Sequence, residues 1–293
     1  MSLIAFMSFT VTVLWASALP QYAKPDLLVT TEWLAAHARD ASVRIIDMRT
    51  RGFEAGRIPS ASLMANDLIR IANRPPHFLP TVEEFEQLMT RFRITNNTRV
   101  VVYDDRGGIY AARLWFVLNV FGHSNVALLD GGWTQWVKEG RPTSTDAVEV
   151  PAPGAGMFTA RLNTAMVATA AEVVAAIDKK GVKILDARTP AEIAGTDLRG
   201  IKRGGAVPSA VPLYWEDTLN LPARTFKSRA EIEKVYADAG VGAGDDVIIY
   251  CQVGMRASHD AFTLALLGRT KVRVYYGSWE EWGNREDLPI KKH

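Results

Sequence analysis

The sequence has a single cysteine, Cys251, among 293 residues. One thiol cannot close an internal disulfide, and with no second thiol beside it no thiolate zinc cage can form. An excess charge of one sign is missing too: 34 Lys and Arg face 32 Asp and Glu, a net of +2. With no Lys/Arg cluster set among aromatics, the chain lacks a nucleic-acid footprint, and no nucleic acid is expected as a partner. The first 19 residues carry no charged side chain, and the first lysine is Lys24. Small residues follow in Ala16-Ser17-Ala18 and Gln21-Tyr22-Ala23, so residues 1–23 are expected to be an export signal cleaved near Ala18 or Ala23. Cleavage would place the chain in a periplasm or outside the cell. Otherwise it would be membrane-anchored or cytoplasmic, and no stable membrane partner is inferred.

What is present suits two globular domains. An apolar share of 48% with 23% charged residues is enough to bury cores. Four segments recur in the same order. Val43-Arg44-Ile45-Ile46-Asp47-Met48-Arg49 returns as Val182-Lys183-Ile184-Leu185-Asp186-Ala187-Arg188, and Arg57-Ile58-Pro59-Ser60-Ala61 as Ala206-Val207-Pro208-Ser209-Ala210. Val100 to Tyr103 is answered by Val247 to Tyr250, and Gly131 to Trp136 by Gly277 to Trp282. The chain is therefore a duplication, with units at 24–150 and 158–293. They are joined by a linker at 151–157 whose Pro-Ala-Pro-Gly run cannot continue a helix or strand.

Within each unit, β-branched runs such as Val100–Tyr103 and Val247–Tyr250 lack polar alternation, as strands buried on both faces do. Helical patterns alternate with them at Ala111–Phe121, Ala171–Asp178, Ala230–Ala239 and Ala257–Leu267. That order predicts an α/β fold, each unit a parallel sheet flanked by helices, with ligands bound beyond the carboxyl ends of the strands. Trp133/Trp136 and Trp279/Trp282, one helical turn apart, are expected to cover the cores.

Cys251 directly follows one such strand and precedes Gln252-Val253-Gly254-Met255-Arg256, which leads into a helix. A sulfur there faces loop amides and the positive end of a helix, and both favour the thiolate. Gly254 lets the loop curl so that successive N–H groups point inward as an anion nest.

Cys-Gln-Val-Gly-Met-Arg resembles the active-site loop of the rhodaneses, and the paired Asp-x-Arg and Gly-x-Trp-x-x-Trp segments resemble the tandem thiosulfate and 3-mercaptopyruvate sulfurtransferases. The resemblance spans about Asp26 to Pro289 and implies two rhodanese-like domains. It also implies that Cys251 takes the outer sulfur of a small anionic donor and passes it to a thiophilic acceptor such as cyanide or a thiol. No metal and no organic cofactor is expected. Gln252, Val253, Gly254 and Met255 would supply the loop amides. Arg188 matches a family arginine at the donor's anionic end; its alternative is a structural ion pair, and Asp186 is expected to be a hydrogen-bond acceptor. Arg256 would hold donor oxygens or lock the loop through its carbonyls. His77, with Asp67 upstream, matches a pair that in the mercaptopyruvate enzymes reaches toward the loop. The family's serine two residues after the cysteine is Val253 here, and an arginine before Gly-Thr is Ala194. Both absences favour thiosulfate over 3-mercaptopyruvate.

Aligning Tyr103 with Tyr250 puts Asp104 where Cys251 stands. A carboxylate cannot carry sulfur, so the first unit is expected to be catalytically silent and to cover one side of the cleft. Two rival readings remain. A cysteine-dependent phosphatase would place five residues between Cys and Arg, where this loop has four. A non-catalytic sulfide carrier or redox-sensing module would use Cys251 without turnover.

Overall fold

A computed structural model describes residues 22–71, 74, 78–147 and 156–292. The expected export signal (all but Tyr22 and Ala23), most of the linker, and His77 lie outside the described residues.

Each unit is a five-stranded, all-parallel sheet. In the first, β1 (Leu28–Val29), β2 (Val43–Asp47), β3 (Ser62–Leu63), β4 (Arg99–Tyr103) and β5 (Val126–Leu129) are ordered β1-β5-β4-β2-β3. In the second, β6 (Val167–Ala168), β7 (Val182–Asp186) and β8 (Val211–Pro212) are followed by a small antiparallel hairpin, β9 (Leu219–Asn220) and β10 (Thr225–Phe226). With β11 (Asp246–Tyr250) and β12 (Val272–Tyr275) the second sheet runs β6-β12-β11-β7-β8, the same topology as the first. The two long repeats pair identically: Asp47 stands opposite Tyr103 and Asp186 opposite Tyr250.

The helices are α1 (Thr31–His37), α2 (Val82–Arg91), α3 (Ile109–Val120) and α4 (Gly132–Lys138) in the first unit. The second has α5 (Ala170–Ala176), α6 (Pro190–Ala194), α7 (Arg229–Asp238), α8 (Met255–Leu266) and α9 (Ser278–Trp282). The four helices read from the pattern are present with ends moved by a residue or two. Reciprocal capping boxes start α2, α5, α6 and α7, through Thr81/Glu84, Thr169/Glu172, Thr189/Glu192 and Ser228/Glu231.

α3 explains how the units meet. Its sequence is apolar almost all round, and ten of its residues are buried, as expected of a helix packed on every side. It lies against α8, and one continuous apolar core runs from Leu28, Phe85 and Trp115 in the first unit to Phe262, Val274 and Tyr276 in the second. The cavity at the end of β11 is accordingly lined from both units, by Arg106, Ile109 and Tyr110 of the first and by residues of the second. Among the described residues no helix is long and apolar enough to cross a membrane.

Candidate active site

β11 ends at Tyr250, the chain turns through Cys251–Gly254, and α8 begins at Met255, one residue before the arginine. Gly254 is the helix N-cap with φ 80°, in the left-handed region. A Cβ there would lie 2.7 Å from the Tyr276 ring and 2.9 Å from its carbonyl oxygen, so only glycine fits the turn. The loop is pinned from outside. Trp279 N–H donates to the Cys251 carbonyl and Glu280 N–H to that of Gln252, both at 2.9 Å. The Cys251 amide donates to Ser278 Oγ at 3.1 Å, and that hydroxyl donates to the Tyr275 carbonyl at 2.8 Å.

Ser278 was not singled out from sequence. It is fully buried at φ 55°, an uncommon conformation for a non-glycine residue. In the first unit the same position is Gly132, where a Cβ would come 2.2 Å from the Asp104 carbonyl oxygen. The strained serine is confined to the copy that has the thiol.

Cys251 is completely buried at the floor of a cavity of about 260 Å³. Gln252, Val253, Met255 and Arg256 also line it, while Gly254 forms the turn. Burial would raise the Cys251 pKa, but Arg256, the amides of Ala257 and Val253, and Arg113 together pull it below the usual thiol value. The thiolate is thus stabilised by fixed dipoles and charges without access to bulk water.

Arg256 is engaged differently from either expectation. Its two terminal nitrogens make a side-on pair with Glu192, at 2.6 and 2.8 Å. Glu192 is buried, and burial works to raise its pKa. Hydrogen bonds from Arg256 and from the Thr189 backbone outweigh this and hold it down to about 2. Arg199 also approaches Glu192, at 3.9 Å, so two guanidinium groups share one carboxylate and Arg256 keeps a net positive influence on the sulfur.

Arg188 requires a correction. It is 1% exposed and does not line the cavity. Its Nε and Nη2 form a bidentate pair with Asp186 at 2.9 and 2.7 Å, Nη2 also donates to the Gly205 carbonyl, and the guanidinium lies 4.1 Å from the Trp279 ring centroid. The first unit repeats the cluster. Arg49 pairs with Asp47 at 2.9 and 2.6 Å, donates to the Gly56 carbonyl, and lies 4.0 Å from the Trp133 ring centroid. Tyr103 and Tyr250 complete the two clusters by donating to Asp47 and Asp186. A feature kept intact in the copy without a nucleophile belongs to the fold. Asp186 is the structural acceptor expected of it. Asp67 is exposed in a short 3₁₀ turn and does not line the cavity.

Besides Arg256, the cations that face the cavity are Arg199, on the turn after α6, and Arg106, from the first unit's strand-end loop. Ile109, Tyr110, Thr189, Tyr214, Trp215 and Glu216 line the remainder. Neither arginine lies in a recurring segment, so repeat matching passed over both.

The first unit's loop shows what the amide nest is built to hold. The Asp104 carboxylate is 1% exposed and accepts from the amides of Arg106, Gly108, Tyr110 and Ala111, at 2.7 to 3.0 Å. Burial raises its pKa against the pull of those four donors. Counting from the helix starts, Tyr110 and Ala111 correspond to Arg256 and Ala257 around Cys251.

Comparison with known proteins agrees with this geometry. The Rhodanese-like domain family matches twice, over residues 30–139 and 169–285. A thiosulfate sulfurtransferase of Corynebacterium glutamicum is 37% identical, over 94% of this chain and 93% of its own. The sulfur carrier protein TtuD of Thermus thermophilus is 33% identical, over 92% and 98%. The crystal structure of SseA from Escherichia coli, a 3-mercaptopyruvate sulfotransferase, superposes with a TM-score of 0.76 at 27% identity, covering 86% of this chain and 98% of that one.

Proposed function

As a member of the rhodanese-like domain family, with two copies of the domain, this chain is a sulfurtransferase, and we propose that it carries the transferred sulfur as a persulfide on Cys251. The observation that carries this reading is the pair of matched nests. In the silent copy four amides hold a two-oxygen anion, Asp104. In the active copy the amides of Val253 and Ala257 bond to a single sulfur, and first-turn N–H groups of α8 have no acceptor within the helix. A second sulfur, anionic and terminal, fits the space that the outer part of the Asp104 carboxylate fills in the first unit.

With thiosulfate as donor, the Cys251 thiolate attacks the sulfane sulfur, the donor's S–S bond breaks, and sulfite leaves with the electron pair. The Cys251 persulfide keeps one negative charge and the loop amides hold it without reorganisation. An acceptor such as cyanide then attacks the outer sulfur, thiocyanate leaves, and the thiolate returns. No proton moves in either step, so Val253 in place of a serine costs little. A 3-mercaptopyruvate donor must take up a proton on leaving and bring a carboxylate, and Ala194 supplies no cation for it. Arg106, Arg199 and Arg256, which line the cavity, offset the charge of thiosulfate in place of Arg188. Steady thiocyanate production from thiosulfate and cyanide tests the reading; release of a single equivalent would favour a sulfur carrier instead.

The phosphatase alternative loses support from Glu192, whose buried carboxylate occupies the arginine that would have to clasp a phosphoryl dianion. Export remains a proposal resting on the uncharged first 19 residues.

A further inference from the structure

The first unit's nest is closed by its own Asp104, yet the cleft above it is open. A cavity of about 730 Å³ lies there, lined by Thr50, Arg51, Asp105, Arg106, Trp133 and Arg224 among others. It overlaps in position with the Cys251 cavity of the second unit: Thr50 corresponds to Thr189 and Asp105-Arg106 to Gln252-Val253, whereas Trp133 lines this cavity and its counterpart Trp279 does not line the other. Three guanidinium groups thus face one carboxylate, that of Asp105. Arg224 arrives from the second unit's β9–β10 turn and is oriented by donating to the Asp105 carbonyl at 2.7 Å. Arg51 and Arg106 are exposed and make no ion pair among the described residues. Arg106 lines both cavities, so an anion in one shares a wall with the Cys251 site.

Uncompensated positive charge in a concave site concentrates anions, and arginine forks match planar or tetrahedral oxyanions. We propose that this cleft of the silent unit is a second anion-binding site, holding a small doubly charged ligand between Arg51, Arg106 and Arg224. Two sources share that chemistry: an oxyanion of the kind the reaction consumes or releases, and the carboxylates of a low-molecular-weight acceptor. The site depends only on the first unit's geometry and on Arg224, and it stands whether or not Cys251 carries sulfur.

The test uses the full-length Cys251→Ser protein, which cannot form a persulfide, and follows backbone amide shifts by NMR. Inorganic sulfate and succinate serve as separate probes for the two sources. At least one should saturably shift Thr50, Arg51 and Asp105, and the tighter binder identifies the source. Adding Arg51→Ala, a change at an exposed side chain with no ion pair among the described residues, should weaken that binding about tenfold. Arg51→Lys should restore part of it, and responses at Gln252 and Val253 should keep their midpoint. Absence of saturable shifts in the first-unit cleft with both probes, or equal affinity in Arg51→Ala, would overturn the assignment.

Discussion

Arg113 and His259 are each the fifth residue of their helices, α3 and α8, and each reaches into the other unit's strand-end loop. Arg113 donates to the Val253 carbonyl, and His259 Nε2 pairs with the Gly107 carbonyl at 3.1 Å. The loop carrying the thiol, pinned within its own unit by Ser278, Trp279 and Glu280, is thus also held by the unit that has no thiol. The first unit, with Asp104 where the second has Cys251, still contributes to the site, because Arg106, Ile109 and Tyr110 line the Cys251 cavity.

Arg113→Ala should act on catalysis through that contact. It leaves a carbonyl without its charged donor and removes one of the groups that lower the Cys251 pKa. A loss of about 1.5–3 kcal/mol corresponds to roughly a ten- to hundredfold drop in kcat/KM. The acid limb of kcat/KM should also move to higher pH, since less positive charge favours the thiol. Burial holds the His259 pKa at about 4, so that residue stays neutral across the limb and does not confuse it. Arg113→Lys should recover part of both effects; an unmoved limb would mean the first unit does not tune the thiol.

Arg188→Lys and Arg49→Lys form a matched pair. Both keep the charge but lose the bidentate fork to a buried aspartate, a destabilisation on the order of 2–4 kcal/mol. Urea unfolding should show similar losses for the two, and the KM for thiosulfate should stay unchanged in each. A raised KM for Arg188→Lys alone would return that residue to the donor site.

These arginines also mark what could be read in advance. Strand-helix alternation and four ordered repeats were visible because buried parallel strands write themselves as apolar runs. The thiol was visible because it stands alone at a strand end. The direction of a side chain was not. Arg188 follows a strand whose end faces the ligand, but it folds back onto Asp186 and Trp279. The signal lay in the duplication: Asp47-Met48-Arg49 persists beside Asp104, so conserving the arginine cannot serve sulfur chemistry. Arg106, Arg199 and Ser278 depend on loop geometry and on contacts between units, which no local spacing encodes. The hairpin β9–β10 was also missed, its two-residue strands being too short for a periodic pattern.

Glu192 links stability to pH with a defined sign. Its carboxylate is depressed from the ordinary value of 4.5 to about 2 in the folded protein. Its contribution is therefore fully present above about pH 4.5 and is lost as pH falls toward 2, about 3 kcal/mol in all. Glu192→Gln should be less stable than the parent at pH 7, with the gap narrowing below pH 4. A constant gap would show that the Arg256 pair contributes nothing through charge.

Donor choice follows from the cations that line the cavity. The parent should have a higher kcat/KM for thiosulfate than for 3-mercaptopyruvate with the same acceptor. Arg199→Ala should lower the thiosulfate value by about tenfold, chiefly through KM, because Arg199 is a partly exposed charge and not a buried strut. A clear advantage for 3-mercaptopyruvate in the parent would show that groups outside this cavity set specificity.

The persulfide on Cys251 is tested most directly by intact-mass and peptide mass spectrometry after brief treatment with thiosulfate. The protein should gain one sulfur atom, located on the peptide containing Cys251, and lose it on addition of cyanide as thiocyanate appears. The Cys251→Ser protein should gain none and produce no thiocyanate while keeping its fold. Normal thiocyanate production by the serine protein, or turnover by the parent with no sulfur ever found on Cys251, would contradict the mechanism.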